Sequence, residues 1–134
     1  MEYSSSAPRD VSARGIRLGF QVNTRKVSEI VVIEAAGRLT LTDGHTRLRD
    51  EIHVSAAYGT KKFVVNLSRV DAIDSYGIGE LARCHSVVRQ AGGALKLGGV
   101  NQKVREVLKI SHLDTIFEIY PDEAEALRAF AAGR

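Results

Sequence analysis

Three short apolar runs constrain this chain more than anything else in it: "EIVVIEAAGRL" (Glu29 to Leu39), "KKFVVNL" (Lys61 to Leu67) and "ALKLGG" (Ala94 to Gly99). Runs this short are expected of strands; the first carries a β-branched run, and the second, continuously apolar, is expected of a strand covered on both faces. The segments between them carry helical spacing. In "TDGHTRLRDEIHVSAAYG", Leu48, Ile52 and Ala56 recur every four residues, Thr42 or Asp43 can cap the start, and Gly59 can close the end. A second helix is predicted from about Tyr76 to Ala91, stopped by Gly92 and Gly93. Asn101 can cap a third, with Val104, Val107 and Leu108 inside. "TIFEIY" (Thr115 to Tyr120) reads as a last strand, and "PDEAEALRAF" as a last helix with Asp122 and Glu125 as capping box and Leu127 and Phe130 as apolar edge. Upstream, "IRLGFQV" (Ile16 to Val22) alternates like a half-exposed strand, and "NTRK" supplies a hairpin turn before the next one. The order β-β-α-β-α-β-α-β-α predicts an α/β domain, a mixed, partly parallel sheet covered by about four helices.

The chain of 134 residues is long enough to bury one core without disulfides or metals. Residues 1–14, polar and holding a Ser triplet and Pro8, are expected to be a flexible tail, and residues 15–134 the domain. The net charge of +3 is small and the charges are interleaved, with no basic stripe set with aromatics, so no direct nucleic-acid partner is expected. Cys84 is the one cysteine, which excludes an internal disulfide and suits a reducing compartment; on its helix it reads as a small half-buried filler. No apolar stretch approaches the roughly 20 residues of a membrane span, and the first residues lack a signal-peptide core. The expected location is the cytoplasm, with no direct membrane contact.

Chemistry has few places to reside. The helix after Tyr76 puts Ile78, Leu81, Ala82, His85 and Val88 on one face and points Glu80, Arg83, Ser86 and Gln90 away. His85 therefore reads as a core histidine. His45, His53 and His112 are scattered, no pair has helical metal-site spacing, and no Cys-x-x-Cys exists, so no metal is expected.

The stretch "VDAIDSYGIGEL" (Val70 to Leu81) holds the most suggestive hydroxyl. A hydrolase elbow needs glycines two before and two after its serine; Gly77 is present, but Ile73 occupies the other place. "GIGELA" meets the loose dinucleotide pattern. A long loop, however, is predicted between strand and glycines, the next strand ends without an acid, and no Gly-Lys-Ser/Thr follows. These glycines read as close packing of a helix start, and no cofactor and no enzyme activity are expected. Asp74 or Ser75 can cap the helix. Ser75 can also act as a switch, because a phosphate there adds about −1.5 to −2 charge at a helix N-terminus that tolerates it. With Asp71, Asp74 and Glu80 nearby, the patch would become strongly acidic and repel a partner docked through apolar contacts or acids.

The span from "KFVVNL" through "DSYGIGEL", the Gly-Gly stop, "VREVLKISHLD" and the acid-capped last helix resembles the STAS domain family, which includes bacterial anti-sigma factor antagonists. "GRL" (Gly37 to Leu39) matches the Gly-x-Leu before the family's first helix, and the likeness covers about residues 16–130. The resemblance implies partner switching. Ser75 would be phosphorylated by an anti-sigma factor that is also a serine kinase, and a phosphoserine phosphatase would reset it. Unphosphorylated, the domain would bind that kinase through Asp74, Ser75, Tyr76, Gly77, Ile78 and Gly79, freeing a sigma factor, and would run as a monomer or dimer. Two positions depart from the family pattern. Tyr76 stands where a Ser or Thr is usual and could be an aromatic anchor, and Thr40 stands where antagonists often carry an acid. The resemblance also admits two other roles, scaffold of a stress-sensing assembly and STAS subunit of a membrane transporter.

Overall fold

The computed structural model describes residues 19–41 and 46–133. The expected tail at 1–14 and the expected caps Thr42 and Asp43 lie outside the described residues. Five strands, β1 (Phe20–Val27), β2 (Ile30–Leu39), β3 (Lys62–Ile73), β4 (Ala94–Gly98) and β5 (Glu118–Tyr120), form one sheet in the order β1-β2-β3-β4-β5. The β1–β2 pair is antiparallel and the other three are parallel. The helices are α1 (Arg47–Ala57), α2 (Ser75–Gln90), α3 (Gln102–Ile110) and α4 (Glu123–Ala131), with a 3-10 turn at Leu113–Thr115. Among the described residues this is the mixed α/β sheet with four helices that the alternation predicts.

Period-two alternation along β2 explains the layers. Val31, Ile33 and Ala35 pack with Leu48 and Ile52 of α1, Leu81, Cys84 and Val88 of α2, and Val104 and Leu108 of α3. Ile30 and Val32 point the other way and pack with Val64 of β3 and with Ala126 and Phe130 of α4. The central strands are thus covered on both faces, which is why their sequences run apolar without a break. Each fully buried aliphatic side chain here contributes roughly 1.5–3 kcal/mol relative to exposure. Lys96 is the exception inside this sandwich. Its Nζ bonds Glu118 Oε1 at 2.6 Å and lies 4.4 Å from the Phe130 ring centroid, so the ammonium is paired and stacked rather than orphaned.

The first strand runs past its expected end at Val22, and residues 16–18 of the expected Ile16–Val22 strand lie outside the described residues. Residues 23–26, expected to turn, lie inside β1, and the chain reverses at Ser28 and Glu29, between paired Val27 and Ile30. Ser28 adopts a left-handed φ of 57° to make that tight reversal. Polar residues mislead here because β1 is an edge strand, and Asn23 to Val27 are exposed. The expectation for β3 also needs correction. No long loop follows Leu67; the strand runs on to Ile73, paired with β2 through two register shifts as far as Leu39. Val70 is buried and Asp71 exposed, the alternation of a one-sided strand. At the other end, "TIFEIY" is a strand only over Glu118–Tyr120, because the 3-10 turn takes Thr115.

The helix ends follow their side chains. Asn101 Oδ1 accepts from Val104 N at 2.8 Å while its Nδ2 donates to Val70 O at 3.0 Å, so one amide both starts α3 and ties it to β3. Asp122 Oδ1 accepts from Glu125 N at 2.8 Å. Gly59 follows α1 with φ 97°, the conformation glycine supplies after a helix.

Candidate functional site

The extension of β3 delivers the chain straight into α2, with Asp74 as the one residue between them. Asp74 has extended backbone (φ −123°, ψ −170°) and its Oδ1 accepts from Gly77 N at 3.0 Å. Its Oδ2 accepts from Leu41 N at 3.0 Å, across from the end of β2. One carboxylate therefore closes the first turn of α2 and fastens the chain that leaves β2. Burial alone would raise its pKa, but backbone N–H groups of Leu41, Gly77 and Tyr76 outweigh burial and hold it below the usual carboxylate range. Of the two expected caps, Asp74 does the capping. Ser75 is left as the first helical residue with an exposed side chain.

The neighbouring residues divide by exposure. Tyr76 and Gly79 are half-buried, as is Asp74; Gly77 and Ile78 are buried. Gly77 has no room for a side chain, since a Cβ would sit 2.1 Å from Leu39 O and 2.7 Å from Ile73 Cγ1. It is the close-packing glycine that brings the start of α2 onto the end of β2. Gly79 is different, because a Cβ there would meet only the far end of Arg83, at 3.3 Å. Leu41, bonded through its amide to Asp74, is a large apolar residue left 72% exposed. Sequence reasoning missed Leu41, because Asp74 reaches it across 33 positions.

Two expectations about α2 are corrected by packing. Glu80, expected to point away, is 1% exposed. Arg49 of α1 holds it, Nε to Oε1 at 3.0 Å and Nη2 to Oε2 at 3.3 Å, and Arg83 adds a third contact at 3.3 Å. Its charge is spent inside the α1–α2 contact, so the acid next to Ser75 is Asp74, while Asp71 is exposed on β3. Cys84, expected half-buried, is fully buried, and burial, with the Glu80 carboxylate adding to it, pushes its thiol up to about 12. His85 sits edge-on to Phe117, ring centroids 5.1 Å apart, and burial with Arg89 nearby lowers its pKa. No group of three or more His, Cys, Asp or Glu among the described residues is arranged to hold a metal. No helix among them is long and apolar enough to cross a membrane.

What the site offers is an exposed hydroxyl beside a fixed carboxylate, with no hydrogen bond from a base or acid among the described residues to activate it. It can receive a group or be covered by a protein surface. Comparison with known proteins gives this geometry its context. The family model for the STAS domain matches residues 21–126. A Thermotoga neapolitana protein named as an anti-sigma factor antagonist homologue is 30% identical over 101 residues, 75% of this chain and 89% of that protein. The crystal structure of a Thermotoga maritima protein described as an anti-sigma factor antagonist superposes with TM-score 0.73 at 26% identity, covering 81% of this chain and 92% of the other. The Bacillus cell fate determinant SpoIIAA, solved in its phosphorylated form, shares the fold with TM-score 0.64 at 23% identity, over 84% and 99% of the two chains. The chain belongs to the STAS domain family, among relatives named as anti-sigma factor antagonists.

Proposed function

We propose that the protein is an anti-sigma factor antagonist that switches partners through the charge on Ser75, acting in the cytoplasm on sigma-factor-dependent transcription. With Ser75 unmodified, the domain binds an anti-sigma factor that is also a serine kinase. The kinase moves the γ-phosphoryl group of ATP onto Ser75 Oγ; the hydroxyl proton is lost and ADP leaves. The resulting dianion ends the complex, and a phosphoserine phosphatase restores the hydroxyl by hydrolysis.

The observation that carries this reading is the placement of Ser75: exposed, first in α2, and next to a carboxylate whose two oxygens already serve backbone N–H groups. A phosphate there stands at the positive end of a helix dipole, so the fold tolerates it. Asp74 beside it adds negative charge that the helix start has already oriented. Like charges brought against a partner's acids cost several kcal/mol, enough to dissolve a complex without unfolding either protein. That SpoIIAA exists in a phosphorylated form supports the same chemistry on this fold.

The test begins with capture from native cells, using the unmodified chain and a Ser75→Glu chain as baits, and with mass spectrometric identification of what only the first retains. The retained protein, purified and given ATP, is expected to add one phosphate to the chain, mapped to Ser75. A phosphate mapped elsewhere, or equal retention by both baits, contradicts the proposal.

A further inference from the structure

We propose that Leu41 is the apolar anchor of the surface switched at Ser75, and that Asp74 is the positioning residue that holds it there. The inference rests on the reading of Ser75 above and adds to it a contact and a partner chemistry. Among the described residues the large apolar side chains left exposed are Val27, Leu41, Val54, Tyr58, Ile110 and Ile116. Leu41 alone among them is hydrogen-bonded by its backbone to the residue before Ser75, at 3.0 Å. The approach of α2 to β2 is close, since a Cβ on Gly77 would sit 2.1 Å from Leu39 O. Leu41 and Ser75 therefore belong to one small surface, which the half-buried Tyr76 continues.

A leucine on a free loop can turn inward to escape water. Here its amide is pinned by a carboxylate while the side chain stays 72% exposed, an arrangement that preorganises a contact and spares the partner the cost of ordering it. The charge next to it selects the partner. Asp74 already puts negative charge next to Ser75, and phosphorylation adds to it. The fitting occupant is a protein with an apolar pocket for Leu41 and with acidic or neutral groups facing Ser75, so that it accepts a hydroxyl and rejects a dianion. Anchor and switch are then separate parts of one interface: Leu41 supplies affinity and Ser75 supplies the veto.

An Asn at position 74 separates the two jobs of Asp74. It caps α2 as well as Asp does, through one oxygen to Gly77 N, but it turns an NH2 toward the Leu41 amide in place of an acceptor. The experiment measures the affinity of wild type, Leu41→Ala, Asp74→Asn, the double variant and Ser75→Glu for the purified anti-sigma factor recovered by the capture above. Melting temperatures and amide exchange at Leu41 are followed alongside. Leu41→Ala is expected to weaken binding roughly tenfold or more with its melting temperature unchanged. Asp74→Asn should speed exchange at the Leu41 amide and weaken binding less, and the double variant should bind no worse than Leu41→Ala alone. Wild-type affinity in Leu41→Ala with binding lost in Ser75→Glu overturns the anchor and leaves the charge switch standing. The converse pattern keeps the anchor and removes the charge switch. Wild-type affinity in both removes both, and losses that multiply in the double variant overturn the positioning role of Asp74.

Discussion

Arg49 of α1 and Glu80 of α2 meet in a two-point contact, at 3.0 and 3.3 Å, that buries the carboxylate between the helices. The pair raises the pKa of the already basic Arg49 through its hydrogen bond to Glu80. It fixes α1 against the helix that begins at Ser75, and a carboxylate removed from water stays only while its partners stay. Arg49→Ala is expected to lower stability by about 2–3 kcal/mol, and Arg83→Ala, whose side chain is 58% exposed, by under about 1 kcal/mol. Urea unfolding at neutral pH reads the difference, and equal losses would mean that both arginines act as surface charges.

The two glycines of the Ser75 turn should behave in opposite ways. Gly77→Ala forces a methyl group onto backbone at 2.1 Å and is expected to cost more than about 3 kcal/mol or to prevent folding. Gly79→Ala meets only the flexible end of Arg83 and should be neutral or stabilise by up to about 1 kcal/mol, the ordinary gain of alanine inside a helix. Thermal melts of the two variants check this, and a tolerated Gly77→Ala would contradict the close packing of α2 on β2.

The helix pattern was legible because burial there depends on local spacing: Leu48, Ile52, Val104 and Leu108 all face the core as their periodicity requires. So were the Asp122 and Asn101 caps, whose bonds reach only three residues ahead. What escaped depends on partners distant in the chain. Glu80 lies where a helical wheel exposes it, and the two-point contact from Arg49, 31 positions earlier, makes its burial tolerable. The second half of β3 reads as a loop because Ser68, Arg69 and Asp71 are polar; its strand character comes from pairing with β2. At the start of α2 an aspartate or serine cap was readable, whereas the bond that Leu41 N makes to Asp74 was not.

Acid should weaken the fold in two separable steps. His85 has a folded pKa below its ordinary 6.5, so the unfolded chain takes the proton first, and the stability this represents is complete above pH 6.5. It declines as pH falls from there through the folded value. Asp74 also has a lowered pKa, so its contribution is complete above its ordinary 3.8 and declines only below that. Denaturant midpoints across pH are expected to flatten in the upper step for His85→Gln and in the lower one for Asp74→Asn. Unchanged profiles would show that neither group is linked to folding.

The thiol of Cys84 is predicted to be inert. Full burial and a pKa pushed up to about 12 leave almost no thiolate at neutral pH. Labelling with a thiol reagent should be slow in buffer and rapid in denaturant, at a rate that follows unfolding. Rapid labelling of the folded chain would place the sulfur at the surface.

The central claim, that charge on Ser75 decides whether the partner stays, is tested most directly by calorimetric titration of the purified anti-sigma factor with two forms of the chain. One form carries phosphoserine at position 75 and the other the native hydroxyl. The account predicts that the hydroxyl form binds and that the phosphorylated form, folded and melting close to the native temperature, binds at least about a hundredfold more weakly. Equal affinities for the two folded forms would contradict it.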